Sequence, residues 1–112
     1  MTTMRNSVQL IGRPGMDPEI KQIGNDRKLA RFSLATNHYY NNEKGERIET
    51  TEWHNIVAFG KVVEIMEKYV RKGREIAIEG RLTYNQWEDK EGNKRQRAEI
   101  IVNELVLLQK AS

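Results

Sequence analysis

At 112 residues, 31% of them charged and none cysteine, the chain has room for one hydrophobic core and not for two, so residues 1–112 read as a single domain. A disulfide framework or thiolate zinc site is excluded, which fits a reducing cytoplasm; no apolar run approaches the ~20 residues of a membrane span, and Met1–Asn6 lacks the apolar block of a secretory signal. The net charge of +3 permits nucleic-acid binding without establishing it.

Asn6–Arg13 alternates as a first strand, with Val8, Leu10 and Gly12 on one parity and Gln9 and Ile11 on the other. Arg13-Pro14-Gly15 and Asp17-Pro18 interrupt it, because proline cannot donate to a ladder, and Glu19–Ile23 resumes it. Gly24-Asn25-Asp26 is a turn before a long second strand, Lys28–Tyr40, with Phe32 and Leu34 facing in. Asn41–Glu46 reads as a hairpin loop with Gly45 left-handed, and Ile48–Gly60 as the third strand. Val62, Ile65, Met66, Tyr69 and Val70 then fall at helical spacing, with Gly73 ending the helix. Arg74–Glu88 is a fourth strand, with Ile76, Ile78, Gly80, Leu82 and Tyr84 on one parity and Glu79, Arg81, Thr83 and Trp87 on the other. Asp89–Asn93 is a second hairpin loop. Arg95–Leu108 is the last strand, Ile100, Val102 and Glu104 opposing Ile101 and Leu105. Three strands, a helix and two strands predict an all-β, five-stranded Greek-key barrel with one helix between strands 3 and 4, the OB architecture.

The stretch Thr51–Lys61 is the most informative. One parity carries Trp53, Asn55, Val57 and Phe59; the other carries His54, Ile56 and Ala58, residues suited to a barrel interior. That leaves two rings outside, about 20 Å apart at a rise of ~3.3 Å per residue. Exposed rings add nothing to a core and suit a flat apolar partner such as a nucleobase.

Five segments in order, Thr51-Glu52-Trp53-His54, Phe59-Gly60-Lys61, Tyr69–Gly73, Ile78–Leu82 and Trp87, resemble the bacterial single-stranded DNA-binding protein (SSB) family. So do Asn6, Leu10-Ile11-Gly12, Asp17-Pro18-Glu19 and Phe32–Thr36. The resemblance spans about residues 6 to 106. It implies an OB-fold homotetramer, or in some relatives a dimer, that coats single-stranded DNA in replication, repair and recombination, in the cytoplasm at the nucleoid, with no cofactor, metal or catalysis.

Trp53, Phe59 and Trp87 match base-stacking positions of that family, and all three lie on the outward parity. The fourth position falls on Tyr40, which shares the parity of Phe32 and Leu34 and reaches the outer face only through a twist or bulge. Tyr39 is the rival on simple alternation. Lys61, Arg71 and Lys72 match family positions along the DNA track; Arg81, Arg95 and Arg97 follow from parity and nearness to Trp87. Asn85-Gln86 stand where the family often has basic residues. The family places His54 at a subunit interface, with a hydrogen-bonded core histidine as the alternative. The first strand, with Asn6, Val8 and Leu10, is the expected edge for pairing between subunits, since an open edge must be covered.

Relatives extend into a linker with an acidic tip that recruits replication and repair enzymes. This sequence ends at Gln109-Lys110-Ala111-Ser112, so it is either a naturally short form, as on a phage or mobile element, or trimmed, and such recruitment is doubtful. Among rival readings, a primosomal replication protein would lack the full aromatic set. An RNA or cold-shock module would cluster aromatics on adjacent central strands. An enzyme would need a nucleophile–base pair, a phosphate-cradling glycine motif or a metal set, and none stands out.

Overall fold

A computed structural model describes residues 4–108; the ends, including the Gln109–Ser112 terminus, lie outside the described residues. A short 3-10 turn, Met4–Asn6, leads into β1 (Val8–Pro14) and β2 (Glu19–Gln22). There follow β3 (Lys28–Asn41), β4 (Arg47–Phe59), α1 (Lys61–Tyr69), β5 (Ile76–Glu88) and β6 (Lys94–Leu107). The sheet runs β1-β5-β6-β4-β3-β2, and β1 also pairs with β3 at Arg13↔Ala35 and Pro14↔Leu34. That second pairing closes the sheet into a barrel. β1 and β2 are the two halves of the interrupted first strand, and α1 sits between the third and fourth barrel strands: the OB fold. Among the described residues, no helix is long and apolar enough to cross a membrane.

The core follows the inward parity. Ala30, Phe32 and Leu34 of β3 meet Ile56 and Ala58 of β4, Ile76 and Ile78 of β5, and Ile100 and Val102 of β6. The helix plugs one end with Val63, Met66 and Val70, all fully buried. This stripe differs from the expected one. Ile65 and Tyr69 are about half exposed, Val62 packs against the core only in part, and Val63, absent from the expected stripe, is fully buried.

A second departure lies in β6. The β5–β6 register slips between Glu79↔Glu104 and Gly80↔Val102, so Asn103 is an extra residue. A bulge reverses the side-chain alternation beyond it. Leu105 and Leu107 therefore pack on the core while Glu104 turns out, the reverse of the expected parity. Gly80 faces this bulge, where an added Cβ would lie 2.1 Å from the Ile101 carbonyl oxygen; no other residue fits.

β4 and β6 pair only over Asn55↔Glu99 to Val57↔Ile101. Beyond that short seam the β3–β4 and β5–β6 hairpins extend past the barrel as two arms. Their tips are built alike. Asn42 Oδ1 accepts from the backbone N–H groups of Lys44 and Glu46, and Asp89 Oδ1 from those of Glu91 and Asn93. Gly45 and Gly92 take the left-handed position in each turn, at φ 79° and 85°.

Candidate nucleic-acid interface

Residues opposite one another in a ladder share a face, so the register defines the outer surface around Trp53. Across β3–β4 it carries Tyr39, Ala35, Ser33 and Arg31 beside Glu49, Trp53, Asn55 and Val57. Through Asn55↔Glu99 it continues to Arg97 and Arg95 of β6, and from these to Asn85 and Trp87 of β5. Arg81 lies on the same face, opposite Ile101. Trp53, Phe59 and Trp87 are 61%, 40% and 43% exposed. The structure thus brings the three directly matched rings onto one surface with Arg81, Arg95 and Arg97.

Trp53 does not wave freely. The β1–β2 turn lies against it, and a Cβ built on Gly15 would fall 2.5 Å from the indole Cζ3. The turn is tied in place by Gly15 N–H donating to Ser33 O and by Gly73 N–H donating to Pro14 O. Arg13 Nη1 also donates to Gly73 O, and Asp17 Oδ1 accepts from the Lys72 N–H. These bonds set the exposed Arg71–Lys72 segment next to the turn that backs Trp53.

Val57 shares the outward parity yet is only 2% exposed. Its cross-strand neighbour Arg31, on β3, reaches over β4 to Glu99 of β6, Nη1 to Oε2 at 2.7 Å. Arg97 Nη2 meets the same oxygen at 3.3 Å. Glu99 is the one buried charged residue among those described. Neither it nor Arg31 was marked out by the sequence reading, although alternation about Phe32 already places Arg31 outside.

The cations differ in how committed they are. Arg97 lies over the Trp87 ring, its Cζ 5.5 Å from the centroid. Arg95 donates through Nε to Asp89 Oδ2 at 3.0 Å. The turn N–H of Asn93, followed by Arg95, holds the Asp89 carboxyl below its ordinary value. Arg81 is exposed. Arg71 is turned to its own helix end, Nη1 donating to the carbonyls of Glu67 and Val70. Lys61 begins α1 beside Phe59, in a groove it shares with Lys28, Asp26 and Glu64.

The ladder from Leu29↔Phe59 to Asn41↔Arg47 is unbroken, so the bulge needed to carry Tyr40 to the outer face is absent. Tyr39 shares the parity of Trp53, with Arg47 stacked 4.3 Å over its ring. Tyr40 lies on the opposite face of the arm, stacked on His38 at 6.4 Å.

The residues expected between subunits are mostly engaged within the chain. Asn6 donates from Nδ2 to Leu82 O and accepts at Oδ1 from Leu82 N–H, extending the β1–β5 ladder with its side chain. Val8 and Leu10 pack on the core. His54 is half-buried, its Nε2 2.9 Å from Thr36 Oγ1. Among the described residues no three His, Cys, Asp or Glu side chains gather as metal ligands. Over Val8–Gly12, β1 pairs on one side only, with β5. Beside it Ile11 and Val106, 60% and 55% exposed, line up with Ala77 as a second outer face.

Known proteins are similar to this chain in sequence and in fold. The chain is 40% identical over 103 residues to the single-stranded DNA-binding protein of Neisseria meningitidis, covering 92% of this chain and 59% of that protein. It is equally similar to single-stranded DNA-binding protein 1 of Chlorobaculum tepidum, of which it covers 64%. The chain thus spans about three fifths of the length of these curated relatives. Its structure superposes with TM-score 0.85 on the Plasmodium falciparum SSB solved with ssDNA, at 34% identity over 97% of this chain and 99% of that one. It matches the Thermus aquaticus single-stranded DNA binding protein with TM-score 0.80, at 27% identity over 93% of this chain and 50% of that one. The single-strand binding protein family model aligns with residues 5–108, nearly every residue that builds the barrel and its aromatic face, and to that family the chain belongs.

Proposed function

We propose that the protein coats single-stranded DNA without reading its sequence, in replication, repair and recombination, in the cytoplasm at the nucleoid. One observation carries the reading: Phe59, Trp53 and Trp87 share a single outer face with Arg31, Arg81, Arg95 and Arg97. Every base has a π-face, so stacking on such rings contributes ~1–3 kcal/mol per base with little sequence preference. The arginines neutralise phosphates, and counterion release makes log affinity fall with log salt at about −0.7 per phosphate. Duplex DNA hides its base faces, so selection for single strands needs no base-specific contact. The family is one of non-enzymatic DNA-binding proteins, and no bond is made or broken. Tyr39, on the Trp53 face, is the stacking residue of the β3–β4 arm; Lys61 and Lys72 flank the track.

The same reading includes a homotetramer. The open edge of β1 supplies a backbone ladder for a second copy. The Ile11–Ala77–Val106 strip supplies an apolar surface with no use on a lone chain. Tryptophan fluorescence titrated with oligo-dT and with duplex at two salt concentrations tests the binding: quenching by single strands alone is expected, and equal response to both overturns it. Light scattering tests the assembly, a monomer at micromolar concentration being the adverse result.

A further inference from the structure

Glu99 is an odd residue to find in the middle of a surface for phosphates. Its side chain is 7% exposed, and it lies where the two aromatic lines meet. On β4 it faces Asn55, two residues from Trp53; on β5 it faces Thr83, four residues from Trp87. Arg31 and Arg97 meet on one of its oxygens, at 2.7 and 3.3 Å, with their own side chains 37% and 45% exposed. Each guanidinium has five N–H donors and gives Glu99 one, and with both side chains part-exposed further donors are left for a phosphate.

From this geometry we infer that Glu99 is a positioning residue that fixes Arg31 and Arg97 on the path between Trp53 and Trp87 and caps their combined charge at +1. The inference rests on the single-stranded DNA reading above. The carboxylate is shielded and the guanidiniums half-exposed, so the Arg–Glu attraction is screened less than an Arg–phosphate contact at the surface. A passing phosphate does not pull the arginines away. It meets a three-residue cluster carrying one net charge, and one counterion is released there instead of two. The centre of the track holds the strand more loosely than its arginine content suggests, and the bases on either side provide the grip.

The test is the salt dependence of oligo-dT affinity for the full chain and for Glu99→Gln, read by anisotropy of a labelled oligonucleotide. The amide keeps the shape and removes the charge, so the cluster rises to +2. The log–log slope is expected to steepen by about 0.7. Across a tenfold rise in salt, the variant's advantage over the parent then shrinks about fivefold. Adding Arg97→Gln to Glu99→Gln returns the cluster to +1 and should restore the parent slope. A merely structural Glu99 would lower the melting temperature and leave the slope where it was; an unchanged slope in the folded variant overturns the inference. Should Glu99→Gln fail to fold, Arg97→Gln alone reads the same quantity from the other side, with a slope shallower by about 0.7 expected and an unchanged slope adverse. A parent chain that does not bind oligo-dT refutes the DNA reading instead, so the two failures are distinct.

Discussion

The β5–β6 ladder presents two outer surfaces on the same pair of strands, and they have opposite chemistry. Past the bulge at Asn103 and toward the hairpin tip, the outward residues are Arg81, Thr83, Asn85 and Trp87 on β5, with Arg95 and Arg97 on β6. On the other side of the bulge they are Ala77 and Glu79, with Glu104 and Val106, joined by Gln9 and Ile11 from β1. One surface is basic and aromatic; the other is acidic and aliphatic. An aromatic–cation surface suits a charged, flat-faced polymer, whereas aliphatic side chains ringed by carboxylates repel that polymer and suit protein. A single inserted residue divides them, and the proposed function assigns DNA to one end of this small sheet and a second copy of the chain to the other.

The sharpest way to break the comparison is to strip one surface and watch both properties. Replacing Trp53 and Trp87 together with Ala should weaken oligo-dT binding by at least ~2 kcal/mol, about thirtyfold, with the assembly size by light scattering unchanged. Ile11→Glu on the other surface forfeits about 1.5–3 kcal/mol of side-chain burial per copy. It should shift light scattering to smaller species while each chain still quenches with single strands. Asn6→Ala removes both hydrogen bonds to Leu82 and should cost roughly 1–2 kcal/mol in urea unfolding, touching neither surface directly. Tyr39→Ala should lower oligo-dT affinity by about 1 kcal/mol and Tyr40→Ala by less; the reverse order would move the track to the arm's other face.

The smallest effect concerns Asp89. Its carboxyl is held below the ordinary value by the turn N–H of Asn93 and by Arg95, so the stabilisation is present above the unfolded value and is lost as pH falls through the folded one. Arg95→Gln should move that titration upward, toward the ordinary carboxylate value, in an NMR pH series.

Alternation alone was enough to read the barrel order and the outward rings, because a period of two is imposed on every residue of a strand with one buried face. It misled where the period breaks. Nothing in Val102-Asn103-Glu104 announces an inserted residue; the bulge exists because Gly80 lets the Ile101 carbonyl approach from the neighbouring strand, a relation 21 positions apart in sequence. The helix stripe was right at Met66 and Val70 and missed Val63, because Val62 and Val63 are chemically alike and the turn at Gly60 sets how far each enters the core. The two bonds from Asn6 to Leu82 were not legible, since a side-chain amide that continues a ladder has no pattern of its own. Which of Tyr39 and Tyr40 shares the Trp53 face is decided by the unbroken register of the arm, which local alternation could not guarantee. The Arg31–Glu99–Arg97 cluster unites three strands, so no local spacing could reveal it.

Gly15 leads to a last consequence. By packing against the edge of the Trp53 indole at Cζ3 and Cη2, the β1–β2 turn limits how far that ring can swing. The rotamer entropy a loose tryptophan would surrender when a base arrives has already been given up during folding. On the proposed reading a base meets a ring that is already braced, and a methyl group at position 15 would displace that ring. Damage to binding could then arise from a residue that never meets the strand.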